Sequence, residues 1–521
     1  MLFNSPVYGI FLFATYVAFW GLRRRSFLRP LFLTAASYTF YVVGTYDAAT
    51  EQDVPLGPLG WTALCVAIIF LGSTLDFFVG RMLGRTESPR GRKALLLVSV
   101  VYYLGVLSFF KYFNFASESL ATVLGWAGLH VSPTHLRLVL PFGISFFTFE
   151  TMSYTIDVYR REIPPCDRYL DYLLFVSFFP HLVAGPIVRP KTMLPQLAAD
   201  PVATDAMKAA GLFQIATGLC KKIVIGDTLG INLVNRVFDN PERFSSLEVL
   251  VAVYAYAIKI YADFSGYSDV AIGSAKLFGY ELPQNFNAPY VAASLQEFWH
   301  RWHISLSSWL RDYLYISLGG NRGSTWRTYR NLMTTMVLGG LWHGASWNFV
   351  IWGALHGGAL AINRAWSRRA GAAPNPDAPT DPYRQVGPPY PYRPVGHPEL
   401  PLKKPSRSTV SVGHVLAIVG TFHFVCFAWI FFRAQSFAHA ALMLSRLGKL
   451  TFDAPNLAPK VLAVLTLGFV THFLPRRLLD RARDGFIASP AVVQGVALAV
   501  CAYVLHFAAG AKAEPFIYGQ F

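Results

Sequence analysis

The sequence predicts an all-α, polytopic membrane protein: one bundle of about ten to twelve spans, with re-entrant or broken helices, around a central funnel or tunnel. Three observations carry that prediction. Of 521 residues, 54% are hydrophobic and only 14% are charged, against about 25% charged in soluble domains. Apolar runs close to the length of a bilayer crossing recur along the chain. Basic residues gather at every second end of those runs, the pattern of loops retained in the cytoplasm.

The first run, Pro6 to Leu22, ends at Arg23-Arg24-Arg25, which places the N-terminus outside. It lacks a basic leader and a small-residue cleavage site, so it reads as a first span. Leu31 to Tyr46 leads to an acidic loop, and Trp61 to Leu83 returns to Arg85, Arg90, Arg92 and Lys93. Ala94 to Phe110 goes out, and Leu138 to Ile156 comes back to Arg160-Arg161. Tyr169 to Val188 is broken by Pro180, Gly185 and Pro186, which predicts a re-entrant or broken helix. Leu212 to Val234 and Leu247 to Tyr261 follow as spans. Tyr290 to Leu318 mixes Trp, His, Arg and Asp with apolar residues and reads as cavity-lining helix. Leu332 to Ile351 and Trp352 to Trp366 are expected to be separated by a break near Asn348 or Gly353.

Composition then shifts. Eleven prolines lie between Pro374 and Pro405. Residues 370–410 are expected to form an extended, disordered cytoplasmic loop inside a single membrane domain of residues 1–521. Val412 to Phe432, Val461 to Leu474 and Val492 to Ala509 complete the bundle. No internal repeat is visible, which speaks against an inverted-repeat transporter.

The net charge of +16 comes from those short basic loops and not from a continuous phosphate-tracking stripe, so a nucleic-acid partner is not expected. Five scattered cysteines include no C-x-x-C pair and read as small core residues. No P-loop, Rossmann fingerprint or G-x-S-x-G elbow occurs. No tightly bound cofactor is therefore expected.

Histidine stands out against this background. His303 lies in Glu297-Phe298-Trp299-His300-Arg301-Trp302-His303, and His343 in Gly340-Leu341-Trp342-His343-Gly344. Ionisable groups at membrane depth are kept where they have a partner, water or chemistry, and imidazole moves protons near neutral pH. Small residues flank His343 and leave room beside its ring. His300 and His303 share a helix face, but further metal ligands are missing at suitable spacing, so no metal is expected. On a continuous helix, His356 would lie roughly 140° away from His343 and ranks below His303. His181, beside Pro180, could line a cavity mouth. Asp263, Asp269 and Asn348 are candidate supporting groups. Arg301, Arg311 and Lys221-Lys222 could attract an acidic carrier protein or phosphates. Imidazole without a nucleophile triad fits acyl transfer from an already activated thioester. The rival reading is a non-enzymatic transporter or flippase with a histidine-lined cavity.

At these motifs the chain resembles the membrane-bound O-acyltransferase family. The likeness rests on Leu341-Trp342-His343-Gly344 and on Glu297 to Ser307. Tyr261 to Asp269, Pro283 to Tyr290, Phe179 to Ile187 and Ala428 to Ala434 also match. It is most similar to the bacterial branch of alginate O-acetyltransferases and teichoic-acid D-alanyl transferases. The resemblance implies catalytic His343 and His303; from the residues themselves, Trp302, Trp342, Asn348, Asp263 and His181 are expected around the substrates. It implies a thioester donor, acetyl-coenzyme A or an acyl carrier protein, on the cytoplasmic side of a bacterial inner membrane. The acceptor implied is a hydroxyl of an extracellular or periplasmic polysaccharide, reached directly or through a periplasmic acetyltransferase partner. Acetyl is the expected acyl group and D-alanyl the alternative.

Overall fold

The computed structural model describes residues 3–183, 185–369 and 411–509. The Pro-rich segment 370–410 lies outside them. Among the described residues the regular structure is helical and no strand occurs. In chain order the α-helices are α1 Pro6–Gly21, α2 Leu28–Thr50, α3 Gly57–Arg85, α4 Pro89–Leu107, α5 Phe113–Trp126, α6 Ile144–Tyr159 and α7 Tyr169–Ser177. Next come α8 Phe179–Leu182, α9 Pro190–Ala198, α10 Asp205–Cys220, α11 Asn235–Asp239, α12 Ser246–Leu277, α13 Leu295–Arg301 and α14 Ile304–Trp309. The remainder are α15 Thr325–His343, α16 Trp347–Arg369, α17 Val412–Arg433, α18 Phe437–Gly448, α19 Pro459–Phe473, α20 Arg476–Ala488 and α21 Ala491–Ala508.

Their starts follow local chemistry. Ser5, Thr204, Ser294 and Ser324 each accept a backbone N–H of the first turn. Ser245 and Glu248 form a reciprocal capping box at the head of α12. Proline opens α1, α4 and α19, where its missing N–H costs nothing.

Among the described residues, five helical stretches are long and apolar enough to cross a membrane, and α19 with α20, bent by 89°, makes a sixth if counted as one span. The expected ten to twelve crossings are not reached on length and apolarity. Several interior helices are instead short, broken or polar. Leu138 to Phe142 is not part of α6, which begins at Ile144 after Gly143 adopts a left-handed φ of 73°. The Tyr169 to Val188 segment is broken as expected, with α7 ending at Ser177 and α8 at Leu182.

Helix α12 runs sixteen residues beyond the expected end at Tyr261. Asp263, Ser265, Ser268 and Asp269 interrupt the apolar run beyond Tyr261. Those groups do not face lipid. Lys222 Nζ lies 2.6 Å from both Asp227 and Asp263, and Lys221 Nζ lies 2.6 Å from Asp269. Lys222 and Asp263 are buried. The seam permits this because the backbones are close: a Cβ on Gly218 would meet the Gly266 carbonyl oxygen at 2.6 Å. The outer surface has the opposite character. On α21, Val492, Val496, Val500 and Phe507 are exposed, an apolar face suited to acyl chains.

Replacing Lys222 by Met should strand two buried carboxylates and cost about 3–5 kcal/mol. Thermal unfolding in detergent would measure it, and the triple change that also neutralises Asp227 and Asp263 should recover most of the loss.

Candidate active site

Helix α15 ends at His343, and α16 begins at Trp347. The break is therefore at Gly344-Ala345-Ser346, a few residues before the expected Asn348 or Gly353. Its cause is the following packing. A Cβ on Gly344 would sit 1.9 Å from the Phe349 ring, so the turn closes only around glycine. Gly353 is no hinge; it lies within α16 at a close approach, where a Cβ would meet the Met336 carbonyl at 2.4 Å.

The ring of His343 is buried. It meets Trp352 and Phe432 edge-on, each with centroids 5.2 Å away, and its neighbour Trp342 at 5.0 Å. Trp342 also lies 6.2 Å from the ring of His303. The two imidazoles, forty residues apart in sequence, flank one indole. Trp342 is itself fixed. It stacks on Phe149 at 5.2 Å and donates its indole N–H to the Ser145 carbonyl at 3.3 Å.

His303 occupies the junction of α13 and α14 with φ 42° and ψ 56°. A non-glycine residue in this left-handed region costs of order 1–3 kcal/mol and persists where its surroundings over-determine it. Asn285 is that surrounding group. Its Oδ1 accepts from His303 Nδ1 at 3.1 Å, from Ser305 N at 3.2 Å and from Ser305 Oγ at 2.9 Å. Its backbone carbonyl accepts from Ile304 N at 2.9 Å. Asn285 Nδ2 donates to Ser268 Oγ at 3.2 Å, which fixes the amide orientation. With the proton on Nδ1, the basic nitrogen of His303 is Nε2. Phe264, 4.6 Å away by centroids, holds the other side of the ring.

The remaining expected residues divide. Trp302 is buried and packs on Phe298 and Trp429, with centroids 5.7 and 5.1 Å apart. Trp429 stacks on Trp352, so Trp302 belongs to the same aromatic wall. Asn348 donates from Nδ2 to the Ala434 carbonyl at 2.7 Å and ties the start of α16 to the end of α17. Asp263 precedes Phe264 in the chain, but its carboxylate is committed to Lys222. Lys221 and Lys222 face carboxylates inside the bundle, which corrects their reading as a surface for carrier phosphates. His181 does not line a cavity mouth. It is fully buried with Nδ1 3.0 Å from Glu150 Oε1, which also accepts from Val188 N. His356 was ranked low on the premise of a continuous helix. The break carries it to the aromatic wall, 4.7 Å from Trp352 and 5.2 Å from Trp299.

Two features escaped the sequence reading. One is Asn285, inside a matching motif but without an assigned role. The other is Lys111. A π-helical turn, Ser108–Tyr112, joins α4 to α5. From it Lys111 Nζ donates to the carbonyls of Trp342 at 2.7 Å and His343 at 3.1 Å, and Tyr112 OH donates to that of Leu341 at 2.7 Å. A cavity of about 310 Å³ opens at the break, lined by Phe110, Lys111, Leu138, Leu140, Gly344, Ala345, Ser346 and Phe349. Asn114 makes two hydrogen bonds to the Leu136 main chain, two residues before Leu138 of the lining. Among the described residues no group of three or more His, Cys, Asp or Glu side chains converges as a metal would require.

Residues 94–375 match the model of the membrane-bound O-acyltransferase family, and both histidines fall inside that stretch. The chain belongs to the membrane-bound O-acyltransferase family. Its reaction class is O-acyl transfer. It is similar to the probable alginate O-acetylase of Pseudomonas aeruginosa, 41% identical over 370 residues, which are 70% of this chain and 66% of that protein. It is 32% identical to the peptidoglycan O-acetyltransferase of Helicobacter pylori over 475 residues, 85% of this chain and 79% of the other. The teichoic acid D-alanyltransferase of Streptococcus thermophilus is 30% identical over 302 residues, 53% of this chain and 72% of that one. These relatives agree with the branch expected from the motifs.

In this O-acyltransferase, Asn285→Ala should release His303 from its tautomer and its strained turn. Acyl transfer should fall about 10–100-fold, in line with the loss of a partner that orients a reactive imidazole. Turnover measured in membranes, beside a thermal melt, would separate that effect from misfolding.

Proposed function

We propose that this chain moves an acetyl group from a cytoplasmic thioester to a hydroxyl of a polysaccharide on the far side of a bacterial inner membrane, with its N-terminus outside. The donor is acetyl-coenzyme A or an acyl carrier protein. The sugar is acetylated directly or through a periplasmic acetyltransferase partner. The single observation that carries the reading is the convergence of His303 and His343 on Trp342, beside the cavity at the end of α15.

The chemistry asks little beyond a base and correct placement. His343 takes the proton of the attacking hydroxyl as its oxygen adds to the thioester carbonyl. The carbon–sulfur bond breaks, the new carbon–oxygen bond remains, and the proton passes through the imidazole to the departing thiolate. His303, with Nδ1 held by Asn285, presents Nε2 to the donor or acceptor as a hydrogen-bonding group. The aromatic wall excludes water, which would otherwise hydrolyse the thioester. Trp302 and Trp342 shape that wall, and Asn348 holds α16 against α17.

Acetyl is preferred over D-alanyl because the acetyl-transferring relatives match more of the chain: 70% and 85%, against 53% for the D-alanyl relative. A polysaccharide acceptor is the substrate class that their names support.

His343→Ala should lower polymer acetylation by about 10²–10⁴-fold while leaving membrane insertion intact. Mass spectrometry of the surface polysaccharide from cells carrying either form measures it. Unchanged acetylation would remove His343 from the mechanism. Substrate passage across the membrane with no covalent transfer would favour a transporter instead.

A further inference from the structure

The last turn of α15 presents an electrostatic conflict. A helix C-terminus carries roughly half a negative charge and leaves carbonyl groups without intrahelical donors. Acyl transfer builds negative charge on the carbonyl oxygen in its transition state. A base placed at a helix C-terminus therefore works beside the wrong end of the dipole. Tyr112 meets one of the open carbonyls with a neutral hydroxyl. The next two, on Trp342 and His343, are met by the ammonium of Lys111. A neutral hydroxyl suffices to cap a carbonyl, as Tyr112 does, whereas half-buried Lys111 brings an amine to the same helix end. Lys111 also lines the cavity at the break, together with Gly344, Ala345 and Ser346. The π-helical turn makes the arrangement possible, because its extra residue turns Lys111 and Tyr112 toward the same neighbouring helix end.

We infer that Lys111 is a positioning residue for acyl transfer: its ammonium holds the main chain of Trp342 and His343 and cancels the negative helix end beside the cavity. The inference rests on the proposed role of His343. Its consequence concerns turnover more than binding. The imidazole is aimed through its own carbonyl, and the neutralised helix end favours the transition state over the uncharged ground state.

The test uses the full chain in native membrane vesicles, with labelled acetyl thioester as donor and label in polymer as readout. Lys111→Met and Lys111→Gln should each reduce kcat by about tenfold or more, with KM for the thioester within about twofold. Lys111→Arg keeps both charge and donors and should stay within about threefold of the parent. The glutamine form keeps a neutral donor, so it separates charge from capping. Thermal melts of each purified variant report folding. Full kcat in Lys111→Met or Lys111→Gln would overturn the inference, as would a loss that arginine does not rescue. His343→Ala is assayed alongside. If it retains transfer, the reading of His343 has failed. If it abolishes transfer while the Lys111 variants remain fully active, only the inference about Lys111 has failed.

Discussion

A polypeptide inside a bilayer has no water to accept from its free N–H groups or donate to its free carbonyls. The end of α15 is where this constraint is sharpest. The helix stops at His343, and stopping leaves its last four carbonyls without intrahelical donors, among them those of Leu341, Trp342 and His343. Lys111 and Tyr112 supply donors to these three from another helix. That contact holds the main chain of Leu341, Trp342 and His343 beside the cavity at the break, which Phe349 packing on Gly344 sets. The π-helical turn in Ser108–Tyr112 is thus part of the site, although it lies more than two hundred residues away in sequence.

The same constraint orders the rest of the interior. Lys222 pairs with Asp227 inside the π-helical stretch Lys221–Asp227 and with Asp263 on α12, and His181 Nδ1 lies 3.0 Å from Glu150 Oε1. Lipid-facing positions are apolar and exposed. Polar side chains at depth therefore mark contacts between helices more often than contacts with substrate. The histidines of the site differ in kind. Their surroundings are aromatic rings: Trp342, Trp352 and Phe432 about His343, and Phe264 about His303. Such walls hold an imidazole in place by packing.

Among the described residues, four non-glycine positions take a left-handed φ, Arg161, Ala288, His303 and Leu450, and one of them belongs to the candidate site. His303 takes a left-handed backbone conformation, and Asn285 compensates with one amide oxygen shared among three donors. The result is a histidine whose tautomer and direction are both set by a single residue. Helices α13 and α14 are short for the same reason. A continuous helix through Trp302 and His303 would turn the imidazole away from Trp342.

Much was legible in the chain itself. Apolar run lengths and basic loops determined an all-helical membrane protein, since both follow from local composition. Broken backbone near Pro180, and the choice of His303 and His343 as candidates, followed from residues that are costly in lipid. Tertiary structure decided what depends on partners distant in sequence. Polar residues in α12 made it look short, because pairing with Lys221 and Lys222 cannot be read from α12 alone. The break after His343 was misplaced because Phe349 packing, not a weak helix former, sets it. That shift moved His356 to the aromatic wall. Lys111 and Asn285 carried no local signal. A lysine at the end of an apolar run reads as an interface anchor, and an asparagine in a loop reads as a turn, until the helix ends that they satisfy are brought beside them.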